Sequence, residues 1–312
     1  MRIHSIMTGG TVVAAAAVIL VFVVPAPKSQ AFDAPPTTMN LTGTIRDFLP
    51  NANHPDFSIS GSAGQGPYCM NVALSLDNEK RPVYGGPGRR LNQHWRETLA
   101  NVPPNNGTTQ NRQISWCHAN ATDSSGGWQG GSNSGGITSP QSFAQWFRDV
   151  PGTNMSRLWT IPLTWGNDLD WGQCWMYDTN NFNPIDNQLM GNDYDEKNFF
   201  FTYEIVARFT YDHDGNQFFW YKGDDDCWIF ITSADGTVNR LVMDHGGIAG
   251  SREQTIILRN DRPGLGNLVD GQEYELRWYI AERKQPQSQF HVKTNVLLNT
   301  NEAPDAVLSA YD

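Results

Sequence analysis

Three adjacent carboxylates are the densest chemistry in this chain. Gly223-Asp224-Asp225-Asp226 stands directly before the apolar run Cys227-Trp228-Ile229-Phe230-Ile231. Neighbouring carboxylates repel one another unless a cation or water neutralises them, and hard oxygen ligands in a loop at a strand edge suit calcium. The alternative is a solvated acidic turn. A second acidic loop, Asp244-His245-Gly246-Gly247, follows the first closely in sequence. Its glycines would let backbone carbonyls approach an ion. The candidate metal or ligand residues on the two loops are Asp224, Asp225, Asp226, Asp244, His245, Gly246 and Gly247.

Other polar groups carry weaker signals. Asp212-x-Asp214-Gly215-Asn216 has part of a calcium-loop pattern but lacks the distal glutamate, and it reads as a hairpin turn. Glu282-Arg283 is either an acid beside a cation or a structural pair at a strand end. The histidines show no HExxH spacing, no GxSxG occurs, and acidic residues are too many to single out a glycosidase pair. The chain is read as a binding protein, not an enzyme. Pyranose rings stack on tryptophan faces, which makes Trp128, Trp165 and Trp171 candidate sugar platforms; the alternative is that they are core.

The elements that must hold these groups are strands. Phe199, Phe201, Tyr203, Ile205, Ala207, Phe209 and Tyr211 alternate with polar residues, which predicts a long half-buried strand. Asp214-Gly215 predicts a hairpin turn and Phe218–Tyr221 the returning strand. Cys227–Ile231, Arg240–Met243, Thr255–Leu258, Tyr274–Ile280 and Phe290–Thr294 follow as strands, and Leu41–Phe48 opens the series. If Cys227–Ile231 and Arg240–Met243 pair about the Asp235-Gly236 turn, Asp226 and Asp244 lie together at the open end. Ser139-Pro140 marks a helix start, with Phe143, Trp146 and Phe147 on one face of a short helix over residues 142–149. Residues 78–138 are rich in Gly, Asn, Ser and Pro and read as a long ordered insertion, because Trp95, Trp116 and Trp128 need burial or a ligand. Many short strands separated by turns predict a mostly β, antiparallel sandwich or barrel with one or two short helices.

The N-terminus reads as an export signal. Arg2 precedes the apolar run 11–24, too short for an ordinary membrane span, and Ser29-Gln30-Ala31 suits cleavage after Ala31; an uncleaved anchor is the alternative. No later stretch is apolar enough to cross a membrane. The formal net charge is −10, and the first 31 residues contribute two positive and no negative charges. The remainder is therefore more acidic still, which excludes a phosphate backbone as partner. In an oxidising compartment Cys69, Cys117, Cys174 and Cys227 predict disulfides. Three pairings are open; Cys69–Cys117 with Cys174–Cys227 is the expected one.

Several segments together resemble a known family. Gly223-Asp-Asp-Asp-Cys-Trp-Ile-Phe-Ile231 resembles the GDDDVWVFI signature of fibro-slime domains, with Cys227 where valine is usual. Asp244-His-Gly-Gly-Ile-Ala-Gly250 is similar to their D-x-GG-x-x-G loop, and Tyr279-Ile-Ala-Glu-Arg283 with Phe290 to Thr294 is similar to their closing segment. Upstream, Leu41–Asp47 with His54-Pro-Asp-Phe57, Phe143–Asp149, Trp175–Asp178, Asn181–Asp186 and Phe199–Glu204 match in order. The resemblance covers about residues 41–296.

Fibro-slime domains are similar to the PA14 superfamily. The resemblance thus implies a PA14-like β-sandwich and, in the calcium-dependent sugar-binding branch, two consecutive aspartates joined by a cis peptide. Asp224 and Asp225 match that pair, and with Asp244 they are the calcium ligands expected once the resemblance is included. Asp226 stands where many relatives have glycine. The organisation expected is a signal peptide over residues 1–31, a linker over 32–40, the domain over 41–298 and a tail over 299–312. The function expected is a secreted, calcium-dependent carbohydrate-binding or adhesion module at the cell surface or outside it, taking polysaccharide or surface glycan. The alternative is a self-associating component of an extracellular matrix, sheath or filament.

Overall fold

A computed structural model describes residues 34–49, 54–57, 66–91, 96–97, 110–111, 128–129, 134–258 and 268–300. The chain divides into Met1–Asp33 and Ala34–Asp312, and all the described residues belong to the second unit. The export segment and the tail beyond Thr300 lie outside the described residues.

Ten strands form one continuous antiparallel sheet: β1 (Thr38–Phe48), β7 (Asn154–Asp168), β8 (Gly172–Thr179), β9 (Phe201–Thr210), β10 (Phe218–Gly223), β11 (Asp226–Thr232), β12 (Asn239–His245), β13 (Arg252–Ile257), β14 (Glu273–Glu282) and β15 (Phe290–Thr294). Their order is β12-β11-β14-β9-β1-β7-β8-β15-β10-β13. Two small sheets accompany it: β2 (Tyr68–Cys69), β3 (Arg89–Leu91) and β6 (Trp128–Gln129) in one, β4 (Arg96–Glu97) and β5 (Gln110–Asn111) in the other. The expected antiparallel β-sandwich is present. β1 pairs with β7 from Thr38↔Thr164 to Phe48↔Asn154, and the sheet doubles over so that its two halves face each other. Trp278 on β14 meets Phe219 edge-on at 5.0 Å and stacks on Phe290 at 5.2 Å. This central core continues through Leu41, Ile45, Tyr203, Ile205, Ile229 and Val292, all buried.

Strand β9 is not the half-buried strand that its alternation predicts. Its first five residues are buried on both faces, because a second apolar layer lies over the outer face of this half. Phe48, Phe57, Phe143, Trp146, Phe147, Trp228 and Tyr279 make that layer. The polar side chains beneath it are paired, as burial requires. Thr202 Oγ1 donates to the Trp146 carbonyl at 2.6 Å, and Glu204 accepts from Arg46 Nη1 at 3.0 Å.

Helix α1 spans only Pro140–Phe143, shorter than expected. Ser139 caps it: its Oγ accepts from the Ser142 amide while Ser142 Oγ accepts from the Ser139 amide. The chain continues in turns to Arg148, and all three aromatics are buried as expected.

Two topological expectations separate. The hairpin β11–β12 forms about Asp235-Gly236, with Gly236 in the left-handed region at φ 75°. Asp214-Gly215 is a turn, with the Asp214 amide donating to Asp212 Oδ1, but not a hairpin. β9 pairs with β14 and β1, whereas β10 pairs with β15 and β13, so this turn carries the chain from one half of the sandwich to the other. β1 starts at Thr38, and Thr300 Oγ1 donates to the Asn40 carbonyl at 3.1 Å.

Candidate functional site

The acidic loop joins β10 to β11, and the whole triplet is buried: Asp224 is 6%, Asp225 3% and Asp226 0% exposed. A solvated acidic turn is thereby ruled out. Three loops converge on it. The Asp225 carboxylate accepts the Ala249 amide at 3.1 Å and the Arg283 amide at 2.7 Å. The Asp226 carboxylate accepts the Gly247 amide at 2.5 Å and Arg283 Nε at 2.6 Å. Asp224 Oδ1 accepts the Gln289 amide at 3.2 Å. Carboxylates that accept several backbone N–H groups act as loop staples. Asp225 holds φ 50°, a left-handed conformation that Asp tolerates better than most residues. The peptide joining it to Asp224 is trans, and the one cis bond among the described residues is Gln285–Pro286. The cis aspartate pair implied by the family resemblance is therefore not formed.

Asp244 is separated from this group by strand alternation. It lies opposite Trp228 in the β11–β12 ladder and faces the outer apolar layer. Its Oδ2 accepts the Met70 amide at 2.7 Å and its Oδ1 accepts Trp228 Nε1 at 3.2 Å. His245, the next residue, points into the central core, 6.2 Å from the Tyr221 ring. Gly246 and Gly247 serve close packing: a Cβ on Gly247 would stand 2.5 Å from the Gly66 carbonyl oxygen, and one on Gly246 2.8 Å from Asn71 Oδ1. Among the described residues no three His, Cys, Asp or Glu side chains gather about a common point.

An open pocket of about 480 Å³ lies over the acidic loop. Asp224 and Asp225 line it, with the loop 248–251 on one wall and residues 284–287 on another; Arg90 and Lys284 bring positive charge. Burial pushes the Asp224 carboxyl up to about 7, with the Asp225 charge adding to the effect. Burial likewise raises Asp225 to about 6, against the pull of Arg283. Glu282 is raised well above the carboxylate range by burial and by the charges of Asp225 and Asp224, and it shares a hydrogen bond with Asp225. Of the expected calcium ligands, Asp224 and Asp225 are the two that line this pocket. Their carboxylates are hard donors of the kind calcium takes.

The other candidate residues lie elsewhere in the fold or take other partners. Glu282 and Arg283 are not each other's partners: adjacent on the chain, they face opposite ways, and Arg283 pairs with Asp226. Trp171 is 9% exposed and stacks on Phe218 at 4.5 Å. Trp165 packs against Trp175 at 4.4 Å. Trp171 belongs to a buried aromatic cluster, and Trp165 is half-buried against the central core. Trp128 stands opposite Leu91 on β6. Cys69 is disulfide-bonded; Cys117, its expected partner, lies outside the described residues. The expected Cys174–Cys227 bond is not formed, and both thiols are free and buried. Cys174 lies with Trp171, Phe218 and Trp220, whereas Cys227 lies in the central core, where Trp278 Nε1 donates to its sulfur at 3.1 Å.

Sequence reasoning missed Arg252. It is 1% exposed and donates to the carbonyls of Asp225 at 2.7 Å, Gly246 at 3.1 Å and Gly247 at 3.1 Å. It missed Arg90 and the wall 284–287 as well. An arginine closing a glycine-rich acidic loop, as in Gly250-Ser251-Arg252, was the available signal.

The fold and site define an antiparallel β-sandwich with a polar pocket built from the loops at one end. No family model matches the chain, so the fibro-slime resemblance rests on its motifs. Among curated proteins the chain is similar to psi proteins of Dictyostelium discoideum. It is 32% identical to psiQ over 175 residues (52% of this chain, 16% of that protein) and 30% identical to psiD over 172 residues (51% and 30%). It is 28% identical to psiI over 276 residues (83% and 31%). The chain spans less than a third of the length of each. Among solved structures, the A domain of epithelial adhesin 9 from Candida glabrata, in complex with Galβ1-3GlcNAc, aligns with a TM-score of 0.25 at 14% identity, covering 44% of this chain and 75% of that one. Carbohydrate-binding modules from the β-sandwich superfamily align with a TM-score of 0.21 at 8% identity, covering 48% and 69%. Likeness at that level assigns neither a family nor a ligand.

Proposed function

We propose that the chain is a non-catalytic carbohydrate-binding or adhesion module working outside the cell, and that it takes a glycan in the pocket over Asp224 and Asp225. The observation that carries this reading is the meeting of two of the sequence motifs, Gly223–Ile231 and Asp244–Gly250, with the segment 284–287 on one open, polar pocket of about 480 Å³. Its lining offers carboxylates, a guanidinium, an ammonium, amides and a hydroxyl, which suits a ligand covered in hydroxyl groups. Trp171 is buried against Phe218 and Trp165 packs edge-on against Trp175, so this reading draws on the hydrogen-bonding groups of the pocket. Calcium held by Asp224 and Asp225 would supply open coordination positions for vicinal hydroxyls. Asp224 orients the ligand from the floor, and the backbone of 248–251 and the side chains of 284–287 fix its register.

A glycan array with and without chelator, followed by titration of the best ligand, tests the proposal. Asp224→Asn is expected to weaken binding by about tenfold or more, the loss of one charge-assisted contact. Chelator is expected to weaken it similarly. A folded protein that binds no polysaccharide, or a ligand bound equally well by Asp224→Asn, would overturn the reading. Concentration-dependent sedimentation in the absence of glycan would support the self-assembling alternative.

A further inference from the structure

We propose that two buried arginines, Arg252 and Arg283, occupy the structural place that the sequence offers to a metal ion, so that the cage of loops around the pocket is complete without one. The inference takes the pocket from the proposed function as its setting but does not depend on what binds there.

An ion entering the acidic loops would find its backbone ligands already engaged. A glycine-rich acidic loop is a natural source of carbonyl ligands, yet the Gly246 and Gly247 carbonyls both accept from the Arg252 guanidinium. The Asp225 carbonyl accepts from it too. Arg252 thus ties the β10–β11 loop to the β12–β13 loop from the base of β13, where its Cα lies in the ladder with Gly223.

Arg283 performs the same office for the other two segments. Its Nε pairs with Asp226 at 2.6 Å, its Nη1 donates to the Gly136 carbonyl at 3.1 Å and its Nη2 to the Gly135 carbonyl at 2.6 Å. Its guanidinium lies over the Trp146 ring, 4.6 Å from the centroid, and its amide donates to Asp225. The β10–β11 loop, the start of the β14–β15 loop and the turn at 135–136 therefore meet on one guanidinium with 0% exposure.

Arginine suits both positions chemically. Its planar fork of five donors satisfies several fixed acceptors at once and its charge survives burial, whereas an ammonium is a point donor that burial tends to neutralise. Burying an unpaired charge is costly, and here the two guanidiniums meet the Asp226 carboxylate and the carbonyls of Asp225, Gly246, Gly247, Gly135 and Gly136. The two hydrogen bonds that close the cage, Gly247 N–H to Asp226 and Ala249 N–H to Asp225, then follow from where the arginines hold those carboxylates. Any calcium at Asp224 acts on the ligand side of a cage that is already closed.

Hydrogen exchange on the full chain tests this, read at the Gly247 and Ala249 amides in chelator and in millimolar calcium. In the wild-type protein both amides are expected to be protected in chelator, within about threefold of their calcium values. In Arg252→Met the segment 246–251 is expected to exchange about tenfold faster or more, with strands β7 and β8 unchanged. Arg252→Lys is expected to restore little of the loss. Protection that appears only when calcium is added would overturn the proposal, as would an Arg252→Met protein with unaltered exchange. If the arginine variants fail to fold, the wild-type comparison still decides. Absence of any bound glycan would sink the functional reading while leaving this exchange pattern intact, so the two failures are distinguishable.

Discussion

Asp244→Ala separates the sequence reading of the acidic loops from the structural one. If Asp244 shared a calcium ion with Asp225, its removal would weaken the metal and leave metal-free stability largely alone. The structure gives it another task. Asp244 is 1% exposed and is the acceptor for the Met70 amide at 2.7 Å and for Trp228 Nε1 at 3.2 Å, with Trp228 wholly buried. A buried donor left without a partner costs about 1–3 kcal/mol. The short, charge-assisted bond to Met70 belongs at the upper end of that range and the longer one to Trp228 at the lower. Asp244→Ala is therefore expected to cost about 3–4 kcal/mol. Asp244→Asn, which keeps one acceptor oxygen, should cost about half as much. Urea unfolding followed by tryptophan fluorescence in chelator measures both, and calorimetry on the folded variants measures calcium. Asp244→Ala stability within about 1 kcal/mol of wild type, or loss of calcium binding without loss of stability, would refute the reasoning.

Two further outcomes are expected. Burial pushes Asp47 up to about 6, and burial together with the Asp47 charge pushes Asp193 up to about 7. A carboxyl raised in the folded state holds a proton that the unfolded chain has lost, so its contribution falls as pH rises from about 4 to about 7 and is flat above. The melting temperature of Asp193→Asn should therefore decline less between pH 5 and pH 8 than that of wild type, by the equivalent of about 2 kcal/mol after allowance for partial exposure. An identical slope in the two proteins would count against it; Asp224 and Asp225 titrate in the same direction in both and cancel in the comparison. Alkylation and intact mass should find Cys174 and Cys227 reduced but unreactive until the chain is denatured, since both are buried. A mass showing them bonded to each other would refute the structural assignment.

What could be read in the sequence was local and periodic. The β11–β12 hairpin followed from its Asp-Gly turn and two apolar runs, and the gathering of the acidic loops at its open end followed from that. The direction of Asp244 was also implicit in the ladder, because a residue opposite Trp228 shares its face and not that of Cys227. What was hidden depended on partners far apart in sequence. An Asp-Gly turn has the same local geometry whether its strands pair or part, so Asp214-Gly215 could not reveal that β10 crosses to the other half. The layer of Phe48, Phe57 and Trp146 over β9 comes from segments without periodicity, and only that layer explains why Thr202 and Glu204 are buried. Cys174 and Cys227 are suitably spaced in sequence for a bond, but their strands place one in an outer aromatic cluster and the other in the central core.

The charges beneath the pocket are arranged in two layers, and that arrangement decides where an added cation could matter. In the lower layer the carboxylate of Asp226 faces the Arg283 guanidinium, and Arg252 faces three carbonyls. A second cation there would meet two positive groups already in place. In the upper layer burial and the charges of Asp225 and Asp224 push Glu282 well above the carboxylate range, and it shares a hydrogen bond with Asp225. Asp225 spends its oxygens on the Ala249 and Arg283 amides. Asp224 has a single amide contact, at 3.2 Å, lines the pocket, and is held near 7 by burial. Of the two carboxylates that line the pocket it has the fewer amide contacts, and it is the group whose charge a ligand or an ion entering from solvent would change most. Substitution at Asp224 should accordingly alter binding with little effect on folding, whereas substitution at Asp226, one peptide unit beyond its neighbour, should alter folding first.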